Sequence, residues 1–104
     1  MTMQKQHYAQ QVKMTALPGK RDELIQRLHA AIEALERFPG CLYYLVSTTD
    51  EPDIIWICEL WTSKEAKDAL ATSPETAEAM KALMPLIAST TDRTIMTVVD
   101  GFGL

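Results

Sequence analysis

Two neighbouring runs, Cys41 to Thr48 and Ile54 to Trp61, are apolar on both of their alternating sides and are separated only by Thr49-Asp50-Glu51-Pro52-Asp53. Residues two apart in a strand project from one face, and a proline among acidic residues supplies a turn, so the pair predicts a β-hairpin. In the first run Tyr43 and Leu45 oppose Leu42, Tyr44 and Val46; in the second, Ile55, Ile57 and Trp61 oppose Ile54, Trp56, Cys58 and Leu60. A hairpin of this kind needs cover on both faces.

One cover is legible in the helical segments. From Lys20 the residues Leu24, Ile25, Leu28, Ala31, Ile32 and Leu35 recur at helical spacing and predict a helix ending near Phe38-Pro39-Gly40. After the hairpin, Thr62 and Glu65 fit a capping box for a short helix. Ser73-Pro74 reads as an N-cap with proline in the first turn, and Ala77, Met80, Leu83, Met84 and Ile87 then predict one apolar face that Pro85 kinks or ends. Partial alternation over residues 8–16 predicts a first strand, which Leu17-Pro18-Gly19 breaks, and the β-branched run Thr91 to Val99 predicts a last one, closing near Gly101 and Gly103. The order is βαββ(αα)β, an α+β ferredoxin-like sandwich, expected as a single domain over residues 1–104 with its core at about 7–100.

Because one helix layer covers one side of a sheet, the second apolar side predicts a homodimer whose sheets pack face to face. A net charge of −4 argues against nucleic acid as a partner, and no apolar run reaches the roughly 20 residues of a membrane span. The N-terminus MTMQKQHY lacks the layout of a secretory signal, so a cytoplasmic location is expected. The two cysteines, Cys41 and Cys58, sit in strand-like runs rather than in tight pairs, which predicts buried free thiols and no metal site.

With these elements in place, the chain resembles the antibiotic biosynthesis monooxygenase family, small dimeric α/β barrel proteins that include members similar to quinol monooxygenases. The likeness is carried by Pro18-Gly19-Lys20-Arg21-Asp22-Glu23-Leu24, by Pro39-Gly40-Cys41 leading through Tyr43 or Tyr44, by Glu59-x-Trp61-x-Ser63-x-x-Ala66, by Ser73-Pro74 and by Met84-Pro85-Leu86-Ile87. It implies a pocket between helices and sheet and, in catalytic members, oxidation of a polycyclic phenol or quinol by O₂ with neither metal nor flavin. Many relatives carry a histidine where this chain has Leu70. The haem-degrading branch uses an Asn, a Trp and a His; its Trp falls at Leu70, its His at Met80, and its Asn has no counterpart in Tyr8 to Met14. The resemblance therefore stops short of that triad.

Chemistry of the implied kind needs an apolar, water-excluding pocket and a group that deprotonates or orients the substrate. Trp61, Tyr43, Tyr44, Trp56, Met80 and Met84 are the candidate substrate-binding walls, with Glu59 or His29 as the candidate catalytic base. Each has a plainer reading: Glu59 paired with a Lys or Arg, Trp61 in the core, His29 half-exposed beside the helix stripe, and Tyr43 and Tyr44 on opposite faces so that only one lines a given pocket. Three functions follow: a cofactor-independent monooxygenase for a small aromatic or quinol, a non-catalytic module binding a small apolar or aromatic ligand, or an isomerase in which Glu59 shuttles protons on a small carbonyl compound.

Overall fold

The computed structural model describes residues 7–103. In chain order it comprises β1 (His7–Ala16), α1 (Arg21–Ala34), β2 (Cys41–Thr48), β3 (Ile54–Trp61), α2 (Lys64–Ala71), α3 (Pro74–Leu83) and β4 (Ile87–Val98), with 3₁₀ turns at Leu35–Arg37 and Met84–Leu86. The strands form one four-stranded antiparallel sheet in the order β2-β3-β1-β4. This is the ferredoxin-like α+β arrangement, and the hairpin, both helical regions and the proline stop after α3 fall where the periodicity places them.

Three local details differ from the sequence reading. Ser63, rather than Thr62, caps α2: its hydroxyl accepts from the Ala66 amide at 3.1 Å, from an extended backbone (φ −162°, ψ 165°). The Thr62 amide, which a capping box would offer to Glu65, instead donates to the Gly40 carbonyl at 2.8 Å, just before β2. The inward stripe of α3 is also rotated: Thr76, Ala79 and Leu83 turn inward, whereas Ala77 and Met84 are exposed. Finally β4 starts at Ile87, opposite Ala16, and not at Thr91. The residues Ala88-Ser89-Thr90 carry no apolar alternation, so pairing with β1 extends the strand where its own pattern does not.

Side chains of β1 and β3 alternate strictly between the helix layer and the outer face. Val12, Met14 and Ala16 meet Ile55 and Ile57 under Leu24 and Leu28 of α1, with Leu83 and Leu86 closing the core. At Gly40, just before β2, the chain packs tightly against α2: a Cβ added there would lie 2.5 Å from the Ala66 Cβ and 3.1 Å from the Thr62 hydroxyl. Neither neighbour is the free end of a flexible side chain. Gly40→Ala is therefore expected to destabilise by about 1–3 kcal/mol, the usual cost of overpacking, as a lowered urea midpoint with an unchanged slope.

On the outer face the apolar character is narrower than the sequence suggests. Tyr43 and Leu45 of β2 lie beside Leu60, Cys58 and Trp56 of β3, and Ala9 of β1 links Leu60 to Met96 of β4, but β1 otherwise contributes Gln11, Lys13 and Thr15. Tyr43 (46% exposed), Leu45 (55%) and Met96 (42%) remain open to solvent. The segment after β4 reaches back across this face, where the Tyr43 hydroxyl donates to the Gly103 carbonyl at 3.0 Å.

Candidate functional site

The sheet places a small polar cluster beneath α2. Glu59 and Trp61 share the helix-facing side of β3, as their spacing requires, and the Trp61 Nε1–H donates to Glu59 Oε1 at 3.0 Å. Gln10, cross-strand from Glu59 on β1, donates its amide to Glu59 Oε2 at 3.2 Å. Lys67 of α2 brings its ammonium to 3.9 Å of Glu59 Oε1. Gln10, Glu59 and Trp61 are all buried, and Lys67 is nearly so. Both carboxylate oxygens are thus occupied by donors that the fold itself supplies, which is how a buried carboxylate is tolerated.

β2 completes this region with a register shift. A bulge between Cys41 and Tyr43 lets Cys41 face Trp61 and Tyr44 face Glu59, so both lie on the helix side although their numbers differ in parity. Burial, followed by the Glu59 carboxylate and then Cys41, pushes the Tyr44 phenol well above its ordinary value of 10.0. Cys41 and Cys58 are free but only half-buried, short of the burial their runs predict; partial burial and the Glu59 charge push the Cys41 thiol up. Neither Tyr44 nor Cys41 is a base near neutral pH.

Above Tyr44 the helices leave a cleft of about 80 Å³. Its walls are Leu28, Ala31, Ala34 and Leu35 of α1 and the turn after it, Phe38, Tyr44 of β2, Leu70 of α2, and Glu75, Thr76, Ala79, Met80 and Leu83 of α3. Polar atoms are confined to Tyr44, Glu75 and Thr76. The Glu75 carboxylate accepts from Arg37, a pair that joins the turn after α1 to the first turn of α3. The Tyr44 hydroxyl has no hydrogen-bond partner among the described residues.

Of the candidates read from the sequence, the structure brings Tyr44 and Met80 to this cleft. Trp61 is fully buried beside Glu59 and does not line it. Tyr43 and Trp56 lie on the outer face of the sheet, on the side of Leu60 and Lys13 respectively. Met84 is exposed in the turn that follows α3. His29 points to solvent on α1, with Nε2 3.7 Å from Glu33. Glu59 sits below the cleft in its own hydrogen-bond set. Leu28, Phe38, Thr76 and Ala79 are wall residues that the pattern assigned to core, turn or nothing, and Leu70, noted only for the histidine it replaces, joins them. Among the described residues, no group of three or more His, Cys, Asp or Glu side chains converges in a way that would hold a metal.

An antiparallel α+β sandwich with an apolar cleft between its helices and its sheet defines the class. Residues 7–82 match the family described as antibiotic biosynthesis monooxygenase, and the chain belongs to that family. A Chloroflexus aurantiacus protein assigned to the same family is 38% identical and superposes with a TM-score of 0.82, covering 93% of this chain and 97% of that one. SnoaB, a cofactor-independent oxygenase from Streptomyces nogalater, shares the fold with a TM-score of 0.81 at 15% identity, over 93% of this chain and 97% of its own. Rv0793 from Mycobacterium tuberculosis does so with a TM-score of 0.80 at 20% identity, over 93% and 99%. No curated protein matches the chain.

Proposed function

We propose that this chain is a monooxygenase that oxidises a small aromatic or quinol with O₂ in the cleft between α1, α2, α3 and the sheet, needing neither metal nor flavin. The observation that carries the reading is the cleft itself, a wall of Leu, Ala, Phe and Met side chains interrupted by one phenol, one threonine hydroxyl and one paired carboxylate. An electron-rich ring held out of water can pass electrons to oxygen directly; one oxygen atom enters the ring, the other leaves as water, and the quinol supplies the remaining reducing equivalents as it becomes a quinone. Family membership supports the same class of reaction. The cleft of about 80 Å³ is smaller than the roughly 150 Å³ cavity known to hold benzene, so a ring enters only if the walls give way.

Oxygen uptake in chelator-treated buffer with a panel of monocyclic hydroquinones tests this. Uptake above the uncatalysed rate is expected from the unaltered chain, and a loss of at least tenfold, about 1.4 kcal/mol in barrier, from Ala79→Phe, which fills the cleft while the circular dichroism spectrum is kept. Absence of uptake with every quinol would rule out the oxygenase.

A second reading, a non-catalytic module binding the same class of ligand, is favoured by one observation. Of the titratable groups on the wall, Tyr44 is held protonated and Glu75 is paired with Arg37, while Leu70 stands where many relatives carry histidine. A substrate here would have to ionise by its own acidity. The isomerase reading finds less support, since Glu59 lies off the wall with both oxygens engaged.

The assembly we propose is a homodimer packed through the outer sheet face, supported by the exposed Tyr43, Leu45 and Met96. Sedimentation at micromolar concentration is expected to show the dimer, and Leu45→Glu to shift it toward monomer; a monomeric unaltered chain would contradict it. No helix among the described residues is long and apolar enough to cross a membrane; a cytoplasmic location remains part of this proposal.

A further inference from the structure

A ring enters the cleft only if a wall moves, and the walls are fastened unequally. α1 lies against the sheet through the buried Leu24 and Leu28. In α3 only Leu83, at the C-terminal end, is buried, and α2 before it has no buried residue. Two arginines tie α3 to α1 and the turn that follows it. Arg27 Nη1 donates to the Ala82 carbonyl at 2.8 Å while Glu23 holds its Nη2 at 2.7 Å, and Arg37 pairs with Glu75. The two helices therefore run antiparallel, with the closed end of the cleft at Leu28 and Leu83 and its mouth at Phe38 and Glu75.

The two ends of α3 differ in what holds them. At the C-terminal end Leu83 and Leu86 sit in the core, Arg27 grips the Ala82 carbonyl, and the Leu86 carbonyl accepts from the Leu17 amide at 2.9 Å. At the N-terminal end the tie to the turn after α1 is the Arg37–Glu75 pair, whose side chains are 63% and 52% exposed. An exposed ion pair shifts a population by only about 1.5- to 5-fold, whereas burying a leucine shifts it more than about tenfold. We propose that α3 is the gate of the cleft: it pivots about its anchored C-terminal end when the Arg37–Glu75 latch opens, and its first turns swing away from Leu35 and Phe38 to admit a ring. The Thr72-Ser73 corner moves with it, since Ser73 stays attached to α3 by accepting from the Glu75 amide at 3.2 Å, and α2 has no buried side chain to hold it back. Both charges of the latch are solvated when it parts, so opening strands no buried polar group. The purpose of the gate rests on the cleft being the ligand site; the motion itself does not.

Opening is read without any ligand. Ala79→Cys, on the wall, and Ala77→Cys, on the exposed side of the same helix, are each made in a Cys41→Ala/Cys58→Ala background. Both are reacted with 4,4′-dithiodipyridine, a neutral reagent whose ring has to enter the cleft to reach position 79. Glu75→Gln and Arg37→Gln are each expected to speed the reaction at position 79 by about 1.5- to 5-fold, with no further gain when combined. The charge-swapped pair Arg37→Glu/Glu75→Arg should return toward the unaltered rate. Salt at about 1 M, where charges are screened beyond about 3 Å, should speed the unaltered latch and leave Glu75→Gln unmoved. Position 77 is expected to be indifferent to all of these. In low urea the rate at position 79 should barely rise, because a pivot exposes little surface. Indifference of position 79 to Glu75→Gln, Arg37→Gln and salt would overturn the latch, and a urea dependence as steep as that of global unfolding would overturn the pivot. An absence of oxygen uptake would remove the oxygenase and leave the gate standing, whereas uptake alongside an indifferent position 79 would remove the gate alone.

Discussion

Trp61→Ala is expected to lower the unfolding free energy by about 3–5 kcal/mol, the range for removing a large aromatic from a core, and the melting temperature by on the order of 15 °C. Trp61 has no exposed surface, is cross-strand from both Tyr8 and Cys41, and spends its single N–H on Glu59. Its loss would open a void beneath α2 and also leave one Glu59 oxygen without its donor. With a total stability of roughly 5–15 kcal/mol for a domain of this size, the variant would be marginal at physiological temperature. Thermal denaturation followed by circular dichroism decides the matter; a melting point within a few degrees of the unaltered chain would remove Trp61 from the core and return it to the list of substrate contacts. Trp61→Phe, which keeps most of the volume and loses only the indole N–H, should fall between the two.

Glu59→Ala is expected to cost a comparable about 3–5 kcal/mol, the value for breaking a buried charged set by deleting one member. Three donors converge on this side chain: the Trp61 indole at 3.0 Å, the Gln10 amide at 3.2 Å, and the Lys67 ammonium at 3.9 Å. Alanine would strand all of them, two in buried positions. Glu59→Gln should cost less, about 1–2 kcal/mol, because a neutral hydrogen bond is worth about 1 kcal/mol net and an amide can rebuild most of the set. Its carbonyl oxygen still accepts from Trp61, and its amino group can donate to Gln10 once that amide turns over; only Lys67 loses its counter-charge. Chemical denaturation of the pair measures the difference. Equal losses for Ala and Gln would mean that the charge, not the hydrogen-bond geometry, holds this corner together.

The same two residues illustrate how much of the molecule is written in local spacing. Glu59 and Trp61, two apart in a strand, had to share a face, and they do; Ser73-Pro74 had to begin a helix, and Pro85 had to end one, because a proline has no amide to give to the preceding turn. Leu24 and Leu28 had to turn toward the sheet. Those outcomes depend on periodicity and on single-residue backbone preferences, which any window of sequence contains. The assignment of Thr62 as the α2 cap failed for the opposite reason: its amide was claimed by Gly40, more than twenty residues away in sequence, and the neighbouring Ser63 took the cap.

The candidate site was less legible. Tyr43 and Tyr44 are equivalent in composition, and their faces are set by a bulge at the start of β2 that no alternation announces. His29 and Glu59 both looked like bases, yet one faces solvent beside Glu33 and the other is spent on its neighbours. The cleft wall draws on α1, β2, α2 and α3, so residues as far apart in sequence as Ala31, Leu70 and Thr76 meet only after the helices pack.

Element order, the α1 stripe, the hairpin and the unsheltered second side of the sheet all follow from short-range pattern, since each is imposed by a repeat of two or about 3.6 residues along the chain. Which side chains surround the cavity, and whether a given carboxylate or phenol is free, follows from the register between strands and the height at which helices settle on them. Those depend on contacts between residues distant in sequence, whose combined energies no local repeat encodes.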